Sequence, residues 1–222
     1  MQLIHPTYFP SILSYALLTS GDKILLEVSD FYEKQTYRNR MYIQSANAKQ
    51  MLSVQVKHTH TDGKQLYKDV QVSNDFDWQK LHWRSLETAY RTSPYFEFYE
   101  DDLQPLFDKK FKYLVDLNLE SIQTINDLLE LEMPFELTEH YQKEHDNIDD
   151  LRFLKNAKKE PEIIQKFPQY TQMFLDRHSF MPNLSILDLL FMEGPNTHSY
   201  LEHIRNLWQT EITNLSSQFT KK

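Results

Sequence analysis

The stretch Gln2-Leu3-Ile4-His5-Pro6-Thr7-Tyr8-Phe9-Pro10-Ser11, followed at once by the apolar run Ile12 to Leu18, sets the architecture of this chain. Gln2 to His5 reads as a short buried strand. Ser11 to about Thr19 reads as a helix, closed by Gly21-Asp22, because glycine just past the last periodic residue stops a helix. Lys23 to Val28 is apolar and β-branched enough for a second strand. Strand, helix and strand within so few residues predict a parallel pair in a βαβ unit. Between them, Pro6 and Pro10 each fix φ, lack a donor and push the preceding residue toward extended geometry. The outcome is a rigid aromatic turn at the carboxyl end of the first strand, where α/β proteins place ligands.

Outward from this unit, Tyr37 to Gln44 and Met51 to Lys57 are strand candidates. In the latter, Leu52, Val54 and Val56 alternate with Ser53, Gln55 and Lys57. Leu66 to Val72 is another, bounded by Asp62-Gly63 and Ser73-Asn74-Asp75. Asp75 or Asp77 is expected to cap a helix from about Trp78 to Thr92. Leu103 to Leu131 repeats apolar residues at helical spacing with a break near Pro105, and Met133-Pro134-Phe135 is a breaker. His140 to Pro161 is polar enough to predict an exposed excursion or a mobile lid. Helices are expected over Pro161 to Phe174, over Leu184 to Phe191 with Asn183 or Ser185 as cap, and from His198 to about Leu215. The expected fold is α/β. A Rossmann-like N-terminal half reaching about Asp75 lies within an α/β core of residues 1–100, and a mostly helical region, residues 101–222, packs on it with a polar excursion near 139–161.

Composition narrows the chemistry. Three glycines in 222 residues permit neither G-x-G-x-x-G nor G-x-x-x-x-G-K-[ST], so a Gly-rich phosphate loop is excluded. The absence of cysteine excludes disulfides, thiolate metal sites and cysteine nucleophiles. Met1 to Pro6 has no basic region and no long apolar run, so a secretory leader is not expected. No apolar run approaches membrane-spanning length. A cytoplasmic protein without a membrane span is the expectation. A formal net charge of -8 argues against nonspecific nucleic-acid binding as the main task. Basic residues nevertheless concentrate between Lys34 and Lys112, compatible with a local pocket for an anionic small molecule.

Several segments together resemble the WbqC-like family, small bacterial proteins associated with O-antigen and other surface-polysaccharide gene clusters. They are His5 to Pro10, Tyr37-Arg38-Asn39-Arg40, Trp78 to Trp83, Ser93-Pro94-Tyr95-Phe96 and Asn183 to Phe191, in the family's order. His5 stands where many relatives carry glutamine, and Leu13 where many carry glycine. The start also resembles nucleotidylyltransferase folds, which carry H-x-G-H at this turn. Here Ile12-Leu13-Ser14-Tyr15 offers neither histidine nor glycine, so that catalysis is not expected.

Arg38 and Arg40 lie on one face of an extended segment, with Asn39 opposite. Two guanidiniums on one face grip a phosphate or carboxylate bidentately. The alternative is ion pairing with Glu27, Asp30 or Glu33, and the family resemblance favours the anion site. Trp78 and His82 share a helix face, as do Lys80 and Arg84. His82 titrates near neutrality when unperturbed and qualifies as an acid or base, or else as a histidine satisfied locally. Trp78 is either core or a stacking platform. His5 and Tyr8 at the turn serve either a ligand or packing. The resulting expectation is an anionic activated substrate, such as a nucleotide sugar or acyl donor, used in acyl or amide transfer during polysaccharide or amino-sugar assembly. Arg38 and Arg40 hold the anion, Asn39 and Tyr8 orient the acceptor, and His5 or His82 moves a proton, with Lys57, Trp78 and Lys80 completing the binding set. No cofactor is named by the sequence. His58 and His60 beside Asp62 admit a metal, but without a spaced third ligand they read as loop residues. A noncatalytic binding or scaffold protein on a nucleotide-type fold is the alternative, favoured by the missing H-x-G-H and glycines.

Overall fold

A computed structural model describes residues 1–20, 23–57, 65–145 and 147–219, with side chains to residue 211. Gly21 and Asp22, expected to close the first helix, and His58, His60, Asp62 and Gly63 lie outside the described residues. Strand β1 (Gln2–Ile4) is buried along its length, as a central parallel strand must be, and pairs in parallel with β2 (Ile24–Leu26) in the register Gln2 to Ile24 and Ile4 to Leu26. Helix α1 (Ile12–Leu18) makes the crossover. Ser11 caps it by accepting from the Ser14 amide, and all seven helical residues are buried. The βαβ unit is therefore present.

The second half of the chain completes the sheet. β5 (Phe135–Leu137) adds in parallel to β2 and β6 (Asp149–Asp150) adds in parallel to β1, giving the order β5-β2-β1-β6. β3 (Arg40–Gln44) and β4 (Lys49–Ser53) form a separate antiparallel hairpin. Helices α2 (Trp78–Tyr90), α3 (Phe96–Asp108), α4 (Leu114–Leu128), α5 (Ile186–Glu193) and α6 (Thr197–Phe219) complete the elements, and one buried apolar cluster runs from Ile4 to Trp208. No described helix is long and apolar enough to cross a membrane.

Four local expectations are corrected. Leu66 to Val72 is a single 3-10 turn, Tyr67–Asp69, between isolated bridges, because the Tyr67 amide bonds to the Asp30 carbonyl and its hydroxyl to Pro6. Asp77 occupies the N-cap of α2 without a capping hydrogen bond, and Asp75 accepts instead from Ser73. Pro105 lies inside α3, and the break before α4 comes after Asp108. Between Pro161 and Pro168 only a 3-10 turn, Glu162–Lys166, forms, since a seven-residue interval between prolines leaves too few amide donors for a stable helix. Ser185 does cap α5, accepting from the Leu187 amide. The polar segment is exposed over Glu139 to Glu144 and turns inward at Leu151, Arg152 and Leu154.

Candidate functional site

The carboxyl ends of the parallel strands carry a connected set of buried charges. The chain leaves β1 through His5, and leaves β2 through Glu27, Val28, Ser29 and Asp30. It leaves β5 through Thr138, and β6 through Leu151 to Lys155. Asp30 is the hub. It accepts from His5 Nε2 at 2.9 Å, from Arg38 Nη1 at 2.8 Å and from Lys155 Nζ at 3.1 Å. Lys155 also donates to Glu33 at 3.1 Å. Arg38 is fully buried, with its guanidinium carbon 5.2 Å from the Tyr32 ring centre and 4.9 Å from that of Tyr67, and it donates to the Phe31 carbonyl. Its charge is thus matched by a carboxylate, a carbonyl and two ring faces.

A second ion cluster stands beside the first. Glu27, 0% exposed, accepts from Thr138 Oγ1 at 2.8 Å, from the Ser29 amide at 2.9 Å and from Arg152 Nη1 at 3.2 Å. Arg152 also bonds Asp150 and the carbonyls of Gln142 and Lys143, and its guanidinium lies 5.3 Å from the Tyr141 ring centre. The arginine therefore pins the exposed 139–144 segment against the strand ends.

Between these clusters opens a cavity of about 510 Å³. Its charged wall is Asp30, Glu33, Arg152 and Lys155, and its aromatic wall is Phe31, Tyr32, Tyr141 and Phe153. The position agrees with the general placement of ligands outside the carboxyl ends of parallel strands.

Protonation states follow from burial and partners. Burial is the largest influence on His5 and lowers its pKa to about 4, against the pull of Asp30, so the ring is neutral near pH 7 and donates from Nε2. Burial by itself raises Asp30, but the His5 hydrogen bond and the charges of Arg38 and Lys155 outweigh it and hold the carboxyl at about 2. Asp30 is a fixed anion. The Tyr32 hydroxyl is pushed by burial to about 12, against the charges of Arg38 and Arg40. Among the described residues no group of three or more histidines and carboxylates stands in a metal-holding arrangement.

The residues singled out in the sequence fall into three places. His5 and Arg38 meet through Asp30 behind the cavity wall. Tyr8, Trp78 and His82 form a buried cluster of their own: the Tyr8 hydroxyl lies 3.1 Å from His82 Nδ1, and the Trp78 ring centre is 5.1 Å from that of His82. Burial lowers His82 to about 4, opposed by a hydrogen bond to the Ser53 backbone, so this ring is also neutral near pH 7. Asn39 binds the Val54 carbonyl, Arg40 is half-buried and makes no ion pair among the described residues, and Lys57 and Lys80 are exposed. None of these four lines the cavity.

Sequence reasoning missed Asp30 as hub, together with Lys155, Arg152, Tyr141 and Phe153. One signal was present for Asp30, which stands just past the carboxyl end of the second strand. Nothing local marks Lys155, which lies 125 positions from its partner.

No curated protein and no solved structure matches the chain significantly. The model of the WbqC-like protein family matches residues 5–163, a span from the His5 turn through Lys155 that holds every cavity residue, and the chain belongs to that family.

Proposed function

We propose that this protein acts on a small anionic activated substrate, held in the cavity at the carboxyl ends of the sheet, in a cytoplasmic step of surface-polysaccharide or amino-sugar assembly. The observation that carries the reading is the cavity itself. A permanently ionised Asp30, two cations and half-exposed aromatic rings face one space of about 510 Å³. Lys155 and Arg152 take the role of anion contacts, while His5 and Arg38 act through Asp30 by fixing its charge and position. Acyl or amide transfer fits this arrangement. The acceptor amine attacks the acyl carbonyl, the new C–N bond forms as the bond to the donor's leaving group breaks, and the amine proton departs with that group. The pathway is supported by family membership alone.

A screen of nucleotides, nucleotide sugars and coenzyme A thioesters by thermal shift tests the proposal, followed by incubation of hits with amino sugars and mass analysis of the product. A ligand at 100-fold excess over its Kd adds about 2.7 kcal/mol, which raises the midpoint of a chain this size by roughly 5–10 °C. The rise is expected to vanish in Lys155→Ala. A panel that leaves both proteins unmoved refutes the reading. Binding without product favours the second reading, a noncatalytic binding protein. One observation supports that alternative: His5 and His82 are both buried and absent from the cavity wall.

A further inference from the structure

We infer that the part of the ligand recognised in this cavity is a hydroxylated ring, a sugar or a ribose, with a ring hydroxyl donating to Asp30 and the ring face packed on Phe153 and Tyr141. The inference rests on the small-molecule reading above and narrows it to one chemical class.

The acceptor count at Asp30 leads to it. A carboxylate offers about four lone-pair sites. His5 and Lys155 occupy both sites of Oδ2 and Arg38 one site of Oδ1, so among the described residues Asp30, which lines the cavity, retains one acceptor site, on Oδ1, and no donor. The complementary group must be a donor. A hydroxyl satisfies Asp30, whereas a carboxylate or an acyl carbonyl brings only acceptors and leaves a fixed negative charge facing another lone pair.

The aromatic wall selects the rest. Tyr141 is 46% exposed and Phe153 48%, yet each is backed from behind. Tyr141 lies over the Arg152 guanidinium at 5.3 Å, and Phe153 stacks on Trp208 with ring centres 6.4 Å apart and planes 23° apart. A ring braced on one side and exposed on the other is a pre-organised platform for the apolar face of a cyclic ligand. Charge decides against a bare polyphosphate. Arg38, Arg152 and Lys155 are paired with Asp30, Glu27, Asp150 and Glu33, so no net positive field is available for several phosphates. One cation can still be released to a single anionic tail, since Lys155 is shared with Glu33, whose side chain is 62% exposed and able to rehydrate.

Isothermal titration with four probes tests the inference: N-acetylglucosamine 1-phosphate, uridine diphosphate, uridine diphosphate N-acetylglucosamine and inorganic pyrophosphate. At least one of the three ring-bearing probes is expected to bind, with pyrophosphate about tenfold weaker or absent. The first two probes separate a glycosyl ring from a ribose as the source of the hydroxyls. Phe153→Ala, which removes a half-exposed ring and preserves the buried charges, is expected to weaken the successful probe about tenfold. Asp30→Asn is the direct variant, but it leaves Arg38 buried against a neutral partner, and Phe153→Ala keeps the test valid where that protein does not fold. Pyrophosphate or acetyl phosphate, neither of which carries a ring, binding as tightly as every ring-bearing phosphate overturns the hydroxylated-ring inference and leaves the small-molecule cavity standing. Failure of all four probes, with ring-less acetyl phosphate still giving a Lys155-dependent shift, has the same meaning. Silence of all four and of the wider panel removes both.

Discussion

Acidification from about pH 7.5 to about pH 5 is expected to cost this fold about 4 kcal/mol through two histidines, before Asp30, held at about 2, is reached. His5 and His82 are buried, and each has a folded pKa of about 4 against an ordinary value of 6.5. Below 6.5 the unfolded chain takes up a proton at each ring that the folded chain refuses until about 4. The unfolded state then holds more protons, so stability is complete above the ordinary value and falls as pH drops through this window. Proton linkage gives about 2 kcal/mol per ring by pH 5 and about 3 by pH 4. A protonated His5 would face Asp30 but also Arg38 and Lys155, and a protonated His82 would lie among Tyr8 and Trp78. Asp188, raised by burial beneath the Tyr90 and Tyr170 hydroxyls, works in the opposite direction. The comparison must therefore be made between two proteins. Urea unfolding of the wild type and of His82→Asn, at both pH values, cancels Asp188 and His5 and isolates one ring. The variant keeps an acceptor for the Tyr8 hydroxyl and is expected to lose about 2 kcal/mol less than the wild type on acidification. Equal losses in the two proteins, within about 0.5 kcal/mol, refute the assignment of a buried neutral His82.

Other perturbations probe the same framework. Arg38→Met is expected to cost about 3 kcal/mol by urea titration, because Asp30 then keeps only His5 and Lys155 as partners; a loss below about 1 kcal/mol would show that the guanidinium is not a buried counterion. Gly194→Ala is expected to lower stability by more than about 1 kcal/mol, since Gly194 ends α5 at φ +52 and an added Cβ would stand 2.5 Å from the Tyr95 ring; calorimetry checks it, and an unchanged midpoint refutes the close contact. Phe153→Ala is expected to stay within about 0.5 kcal/mol of wild type in the absence of ligand, its ring being half exposed, so that its binding defect is read without a folding defect. Tyr8→Phe removes the partner of His82 Nδ1 and is expected to cost about 1 kcal/mol by the same urea assay, an unchanged stability refuting that bond.

The sequence by itself determined the βαβ start, a first helix over about Ser11 to Thr19, the Ser185 cap and the place of the rigid turn, because each is written in neighbouring residues. Two prolines, a cap and an apolar period act within a few positions of one another. It also pointed to Arg38, and named Asp30 among the partners that an ion-pairing arginine would take. Tertiary structure decided the rest. β5 is three residues long and follows a proline breaker, too short for its Phe-Glu-Leu alternation to mark a strand, and β6 is two aspartates with no apolar pattern; both become strands because β2 and β1 present open edges to them. Asp30 reaches His5 across 25 positions and Lys155 across 125. A parallel sheet returns every strand in the same direction, so residues that follow different strands gather at one end. Their charges meet there through sheet pairing, and spacing along the chain gives no sign of it.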